Sequence, residues 1–289
     1  MSGGSSRRGF LRELASAVAA GREALGDVVS ASEEPEAVPI RPLLTDDEVE
    51  RYARQLVLPE WGEAAQVALS EAGVLVVGAG ALGSPVALYL AGAGVGRLGI
   101  LDDDNVEVSN LHRQHLHFTP DVGVPKAESA AAKLRFLNPD VLVEPYQARL
   151  DEENAAALVE GQSLVVDCSD SFETRYAVNA ACCAAGTPLV QGGVLGLAGM
   201  VMSIRPGRTA CYRCAFPHAP AYAPSCADAA VLGPAAGVVG SLMALEAMKL
   251  ITGVAPAVAD GFLQLDLATG EFVRVKTSRR MDCPDCGHL

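Results

Sequence analysis

Short apolar runs alternate with helical patterns over most of the chain. Buried strands are predicted at residues 74–77, 98–101, 141–146, 164–168 and 188–191. Helices are predicted at 82–92, 125–137, 152–160 and 171–185. This alternation predicts an α/β fold with a mainly parallel sheet. After Gly192 the pattern changes to a strand, GMVMSIRP, and a hairpin, GFLQLDLATGEFVRVKT, that turns at Thr269-Gly270, and we expect both to extend the same sheet with antiparallel strands.

The first 45 residues differ from the rest. Apolar positions between Phe10 and Val28 fall on one face of a predicted amphipathic helix, and the Pro- and acid-rich stretch 30–45 is typical of a linker. The SRRGFL motif resembles the start of a twin-arginine export signal, but the apolar region after it carries several charges. We therefore divide the chain into an N-terminal helix and linker, 1–45, and a main domain, 46–289.

The main domain is expected to open with a helix. Residues 45–48, Thr-Asp-Asp-Glu, have the spacing of a capping box, in which a Thr side chain and a Glu side chain each bond the other's backbone amide. The pattern after this box predicts four inward-facing residues. They are Val49, Tyr52, Ala53 and Leu56.

Charge and composition exclude some classes of protein. The chain has 22 Lys and Arg against 35 Asp and Glu, a net charge of −13, which argues against binding nucleic acid over a broad face. The apolar stretch 227–248 is interrupted by glycines, a proline and two acids, so no membrane span is expected there. Paired cysteines that hold a metal need a reducing compartment, which favours the cytoplasm.

The loop after the first strand has a glycine pattern typical of nucleotide-binding proteins. Gly78, Gly80 and Gly83 follow GxGxxG spacing, directly after a predicted strand and at the start of a helix. Backbone amides at such a helix start face an anion. Asp102 ends the second strand, where an acid binds ribose hydroxyls. This motif alone does not separate NAD from ATP.

The stretch LDDDNVEVSNLHRQ offers more polar groups than a dinucleotide needs. One carboxylate is enough for a ribose, and two cations in this region suit a triphosphate better than a pyrophosphate. The additional groups are Asp104, Asn110, Arg113, Gln114 and the downstream Lys126.

The DCSD motif places Asp170 at the carboxyl end of the fourth strand, beside the same crevice. A carboxylate at this point can hold Mg²⁺, with phosphates and water completing the coordination. Asp170 can equally cap a helix that starts at Ser171. The residues alone leave both roles open.

Four of the eight cysteines form two CxxC pairs, Cys211/Cys214 and Cys283/Cys286. Four thiolates in two short knuckles match a closed tetrahedral zinc site of structural type, and a redox CxxC is the alternative. Three further cysteines, Cys168, Cys182 and Cys183, are predicted core residues. His115 and His117 are given no role, and His112 either contacts the nucleotide or fills the loop.

Several motifs together resemble one family. RYARQ, VVGAGALGSP, LDDDNVEVSNLHRQ, GVPKAESA, DCSDS, CYRC, GPAAGVVGSLMALEAMKL and CPDCG occur in the order found in bacterial relatives of ubiquitin-activating enzymes, the ThiF/MoeB/HesA sulfur-carrier adenylyltransferases. The resemblance covers residues 46–289 and implies a Rossmann-like ATP-binding fold. It implies ATP-dependent adenylation of the C-terminal glycine of a small ubiquitin-like sulfur carrier ending in Gly-Gly, with release of pyrophosphate.

The resemblance also implies roles for residues of this sequence. Asp102 would bind the ribose, Asn110, Arg113, Gln114 and Lys126 would grip the phosphates, and Asp170 would hold Mg²⁺. The whole set expected at the nucleotide is Gly78, Gly80, Ala81, Gly83, Asp102, Asp104, Ser109, Asn110, Arg113, Gln114, Lys126, Asp170 and Ser171. Many relatives carry Gly at position 81 and Asn at position 171, so Ala81 and Ser171 are departures that affect ATP affinity more than chemistry.

Two expected catalytic residues lie outside that set. In the family the second Arg of RYxRQ reaches the ATP of the neighbouring subunit, which makes Arg54 a catalytic arginine in trans and implies a homodimer. Cys226 occupies a Pro- and Ala-rich stretch where relatives place a cysteine that attacks the acyl-adenylate; an incidental loop thiol is the alternative.

Three rival functions stay open at this point. The glycine loop and Asp102 also fit an NAD-dependent oxidoreductase, and the same superfamily contains enzymes that adenylate a tRNA base. A non-catalytic scaffold that keeps an ATP site is the third. The chain ends three residues after Cys286, so we expect the sulfur donor to be a separate protein.

Overall fold

The computed structural model describes residues 44–219, 230–255, 257–258 and 260–289, so the predicted N-terminal helix, nearly all of the linker and Cys226 lie outside the described residues. The chain divides into two compact units, Met1–Leu69 and Ser70–Leu289. The described helices near this boundary are α1 (Asp46–Arg51), α2 (Ala53–Leu56) and α3 (Gly62–Ser70).

The described part of the first unit contains the predicted capping box. Thr45 Oγ1 accepts from the Glu48 amide at 3.2 Å, and the Glu48 carboxylate accepts from the Thr45 amide at 2.7 Å. Leu44, Val49, Tyr52 and Leu56 form a small buried cluster, but Ala53 is only partly buried. Tyr52 leaves the helical conformation, with φ −98° and ψ 12°, so the predicted single helix is two short ones and Ala53 starts the second.

The second unit is built on one eight-stranded sheet in the order β3-β2-β1-β4-β5-β6-β7-β8. Strands β1 to β5 run parallel, and β5 to β8 run antiparallel, as predicted. The strands are β1 (Gly73–Val77), β2 (Arg97–Leu101), β3 (Leu142–Tyr146), β4 (Leu164–Asp167), β5 (Leu189–Leu195), β6 (Ala198–Ile204), β7 (Gly261–Asp266) and β8 (Glu271–Lys276).

The helices of the second unit that the structure describes are α4 (Gly83–Ala93), α5 (Lys126–Leu137), α6 (Ala155–Val159), α7 (Phe172–Ala185), α8 (Tyr212–Ala215) and α9 (Gly233–Thr252). Helix α6 is shorter than the predicted 152–160, because Asp151 Oδ1 accepts from the amides of Glu153 and Asn154 and holds that segment in a turn. Strand β5 is longer than predicted, because Gly192 to Leu195 pair with β6.

Helix α9 lies against the sheet. Among the described residues it is the one helix long and apolar enough, by composition alone, to cross a membrane. Its side chains Val239 and Met243 are fully buried beside glycines of β6 and β5: a Cβ at Gly199 would lie 2.5 Å from Val239, and one at Gly192 would lie 2.2 Å from the Met243 sulfur. These contacts are those of a core helix.

The start of α4 approaches the end of β1 so closely that only glycine fits. A Cβ at Gly83 would lie 1.8 Å from the carbonyl oxygen of Gly78, which is far inside contact distance. At Gly92, in the same helix, the nearest atom to a Cβ is Leu137 Cδ2, at 3.9 Å. Alanine substitutions at the two positions therefore distinguish two effects on stability. Both change helix propensity, but only the one at Gly83 also introduces a steric clash.

We expect Gly83→Ala to lower the free energy of unfolding by about 1–3 kcal/mol, since the added methyl group must displace backbone. Gly92→Ala is the control, and we expect it to raise the free energy of unfolding by up to about 1 kcal/mol through helix propensity. Urea unfolding of both variants measures this. Equal stabilities would contradict the close approach.

Candidate nucleotide site and cysteine cluster

The candidate nucleotide site lies where the strand order reverses. Strand β1 pairs with β2 on one side and β4 on the other, and the loops after β1 and β4 are adjacent at the carboxyl edge of the sheet. The Cys168 amide donates to Val77 O at 2.8 Å, and a Cβ at Gly78 would lie 3.1 Å from Cys168 O. In open α/β sheets, ligands bind at this reversal point.

The glycine loop presents backbone amides at this edge. Gly78 has φ +95°, a left-handed conformation that favours glycine. Helix α4 begins after Leu82 without a side-chain cap. In its first turn the Ser84 amide donates to Gly80 O at 2.9 Å and Pro85 has no amide hydrogen, so among the described residues the amides of 80–83 are the ones left for an anion. Such amides, together with the positive end of the helix dipole, suit a phosphate group.

Asp102 is buried at the end of β2 and braces the glycine loop. Its Oδ2 accepts from the Ala79 amide at 2.7 Å, and its Oδ1 accepts from the Asp104 amide at 3.0 Å. Burial raises the pKa of Asp102, while the nearby Lys126 acts against that shift. Each carboxylate oxygen keeps acceptor capacity for a ribose hydroxyl.

The two cations predicted for this region lie on neighbouring segments. Lys126, whose side chain is 7% exposed, pairs with Asp104 at 2.6 Å. Arg113 donates to the backbone oxygen of Ser109 at 2.8 Å and contacts the imidazole of His112 at 2.7 Å. The ammonium of Lys126 has three donors, so it can bond Asp104 and a phosphate at the same time.

Two further polar side chains of LDDDNVEVSNLHRQ, those of Asn110 and Gln114, differ in their hydrogen bonding. Asn110 is buried and holds the local turn, since its Oδ1 accepts from the Glu107 amide at 3.2 Å and its Nδ2 donates to Ser109 Oγ at 3.4 Å. Gln114 is buried beside Gly80, and its Oε1 has no hydrogen-bond partner among the described residues. A buried acceptor without a partner is costly, so Gln114 is a candidate ligand-binding group.

The structure separates the two roles left open for Asp170. Ser171 is the N-cap of α7, and its side chain accepts from the Thr174 amide at 3.4 Å. Asp170 precedes the cap and is exposed. The carboxylate of Asp170 is therefore available to a cation. Ser171, which departs from the family pattern, is the residue that caps the helix.

Two residues that the sequence did not single out hold the peptide just before Asp170. Asp167 is fully buried and its Oδ1 accepts from the Ser169 amide at 2.9 Å; burial raises the pKa of Asp167, with Arg175 acting against that shift. Arg175 Nη2 donates to the Ser169 carbonyl at 3.0 Å. The DCSD motif carries a signal for the first of these, because it contains a second acid, Asp167, besides Asp170.

His117, for which no role is predicted from the sequence, is also part of this region. It is 3% exposed and lies between the glycine loop and α5. Spacing could not reveal this, because His117 belongs to a loop and its partners are a backbone oxygen 38 positions earlier and a side chain 12 positions later.

Arg54 and Ala81 complete the predicted set within the described residues. Arg54 is exposed on α2, in the first unit. Ala81 is partly exposed in the glycine loop, just before α4.

The two CxxC pairs come together as one buried cluster. The distances between sulfurs are 3.8 Å for Cys211–Cys214, 3.6 Å for Cys211–Cys283 and 3.4 Å for Cys214–Cys286. All four sulfurs lie within 4.8 Å of one another. A tetrahedron of thiolates around zinc, with Zn–S near 2.3 Å, has edges of about 3.8 Å, so the four residues fit this ion.

Helix α7 ties this cluster to the rest of the unit. Asn179 Oδ1 accepts from the Tyr212 amide at 2.8 Å, and its Nδ2 donates to Asp285 at 2.7 Å. Cys183 belongs to the same buried core cluster as the four cysteines, and its thiol lowers the pKa of Cys211 while burial raises it.

Comparisons with known proteins agree with this geometry. The model of the ThiF family matches residues 52–285, and the chain belongs to that family. It is 46% identical over 250 residues to "Sulfur carrier protein adenylyltransferase" of Thermus thermophilus, covering 84% of this chain and 92% of that protein. It is 46% identical over 242 residues to "SAMP-activating enzyme E1" of Haloferax volcanii, covering 83% of this chain and 89% of that protein.

Other relatives are longer than the chain. "Adenylyltransferase and sulfurtransferase MOCS3" of Xenopus laevis is 44% identical over 248 residues, a match that covers 85% of this chain but 55% of that protein. Among solved structures, E. coli MccB with ATP has a TM-score of 0.73 at 23% identity, covering 82% of this chain and 75% of that one. This likeness supports the fold.

Proposed function

We propose that this chain is an adenylyltransferase that uses ATP to activate the C-terminal glycine of a ubiquitin-like sulfur carrier. The observation that carries the proposal is the meeting of the glycine loop, Asp102, Lys126 and Gln114 at the strand-order reversal of a ThiF-family chain, with Arg113 directly before Gln114 in the sequence. The relative from Thermus, named as a sulfur carrier protein adenylyltransferase, matches over 92% of its length and supports the choice of substrate class.

In the proposed reaction, a carboxylate oxygen of the carrier's last glycine attacks the α-phosphorus of ATP. The bond from that phosphorus to the bridging oxygen breaks, and pyrophosphate leaves with the electron pair. Negative charge grows on the leaving group, so the positive charges of Arg113 and Lys126 would stabilise the transition state. Asp102 and Gln114 would orient the nucleotide.

We assign the two metal sites by the chemistry of their donors. The four thiolates of the cysteine cluster would hold zinc, which would join the C-terminal tail to the segment after β6. The exposed carboxylate of Asp170 would hold Mg²⁺, which supplies charge neutralisation at the phosphates.

The rival functions have less support. An NAD-dependent oxidoreductase leaves Arg113 and Lys126 without a role, and none of the three relatives described above is named as one. A tRNA-base adenylyltransferase fits poorly with a net charge of −13. The cytoplasmic location, the separate sulfur donor and a covalent role for Cys226 stay predictions.

The decisive measurement is exchange of labelled pyrophosphate into ATP. We expect exchange only when a carrier ending in Gly-Gly is present, and a loss of about 100-fold or more in Arg113→Ala and Lys126→Ala. Arg208→Ala is the matched control, because Arg208 is exposed and follows β6, whose end pairs with the start of β5 at the opposite edge of the sheet. Exchange stimulated by tRNA, or unchanged in Arg113→Ala, would contradict the proposal.

We further propose a homodimer in which Arg54 acts on the ATP of the partner subunit. Arg54→Ala and Asp170→Ala are each expected to be inactive. Mixed and reassociated at random, they should recover about a quarter of wild-type activity, because half of the symmetric dimers are mixed and each mixed dimer has one intact site. If Arg54 acted within its own subunit, mixing would restore nothing.

The zinc assignment predicts about one zinc per chain by elemental analysis. Cys286→Ser should lower the zinc content and the midpoint of thermal unfolding, because three thiolates close the site poorly. Cys182→Ser is the control, since Cys182 is equally buried in α7 but is not one of the four clustered residues. Full zinc content in Cys286→Ser would contradict the assignment.

A further inference from the structure

His117 makes two buried hydrogen bonds, one of them to the glycine loop. Its Nε2 lies 3.0 Å from the carbonyl oxygen of Ala79, and its Nδ1 lies 2.9 Å from Ser129 Oγ. A carbonyl oxygen only accepts, so Nε2 must carry a proton in this contact. Ala79 lies between the first two glycines of the loop, so His117 touches the segment that presents amides to the nucleotide site.

The opposite side of Ala79 is held by the candidate ribose ligand. The Ala79 amide donates to Asp102 Oδ2 at 2.7 Å. Asp102 and His117 thus fix the N–H and the C=O of one residue, and both side chains are buried. Rotation of either peptide beside Ala79 would leave a buried polar group without a partner, which the surroundings penalise.

Helix α5 fixes the imidazole in turn. Ser129 Oγ accepts from Lys133 Nζ at 2.8 Å, and Lys133 also forms an ion pair with Asp121. Because Ser129 already accepts from Lys133, its own hydroxyl proton can be donated to His117 Nδ1, which leaves the neutral Nε2–H form of the ring satisfied at both nitrogens.

The charges around the ring also favour the neutral form. Burial lowers the pKa of His117, the hydrogen bond to Ala79 raises it, Lys126 and Lys133 lower it further, and Asp121 raises it. The net direction is downward, so the ring keeps one proton near neutral pH.

We propose that His117 is a positioning residue for the nucleotide: its Nε2–H fixes the Ala79 carbonyl and so keeps the amides of the glycine loop aimed at the phosphates. His117 acts through the loop and does not itself contact the substrate. The inference rests on the proposed function only in that the loop binds Mg·ATP.

Three variants of the full chain test this role. His117→Leu removes both hydrogen bonds, His117→Gln keeps an amide donor that can reach Ala79, and His115→Leu changes an exposed histidine of the same loop as the matched control. Binding of Mg·ATP is measured by calorimetry, and KM for ATP and kcat are measured by pyrophosphate exchange with the carrier.

We expect His117→Leu to raise the dissociation constant and KM for ATP about tenfold, with a smaller change in kcat, since the hydrogen bond that fixes the Ala79 carbonyl is among the two lost. His117→Gln should restore most of the affinity, and His115→Leu should match the wild type. Unchanged affinity in His117→Leu, no recovery in His117→Gln, or an equal loss in His115→Leu would overturn the proposal.

If His117→Leu does not fold, Ser129→Ala takes its place. It removes the Nδ1 partner and keeps the ring, so we expect a threefold or larger loss of affinity, roughly the lower end of a hydrogen bond's contribution; unchanged affinity would overturn the proposal. Calorimetry measures ATP binding without a carrier, so the role of His117 can be tested independently of exchange. If the wild type binds ATP normally but shows no exchange, that result counts against the proposed function only.

Discussion

The site depends on one close approach, that of helix α4 to the end of strand β1. With no side chain at Gly83, the helix starts where a methyl group would lie 1.8 Å from the Gly78 carbonyl. The uncapped first turn of α4 therefore faces the reversal point of the sheet directly. Asp102 and Gln114 contact the glycine loop that leads into this turn, where amides whose positions the backbone fixes would hold an anion.

Each of the two loops beside this turn has one residue held at both its N–H and its C=O. Ala79 lies between Asp102 and His117, and Ser169 lies between Asp167 and Arg175. Buried side chains that bond to backbone fix a loop without adding regular structure. Loops prepared in this way need little reorganisation when charge develops during a reaction, which is the condition for electrostatic catalysis.

Helix α7 connects the candidate nucleotide site with the cysteine cluster in the second unit. Its first turn follows Asp170, Arg175 holds the Ser169 carbonyl, Asn179 bonds residues beside the clustered cysteines, and Cys183 is buried in the same core cluster. The cluster joins chain segments about 70 positions apart, so a metal there would restrain the tail on a helix that also supports the nucleotide site.

The sequence by itself determined which part of the sheet is parallel and which is antiparallel, the capping box, the glycine loop and the four clustered cysteines. Periodicity, turn chemistry and ligand spacing are local signals. The tertiary structure alone decided that Ser171 caps α7 and leaves Asp170 exposed, that α1 and α2 are separate helices, and that His117 and Arg175 support the loops. Which of two adjacent polar residues caps α7, and where α1 ends, depend on the backbone conformation that the packed chain adopts. The roles of His117 and Arg175 depend on backbone oxygens brought near by folding, and a backbone oxygen is the same in every residue, so no sequence pattern marks it.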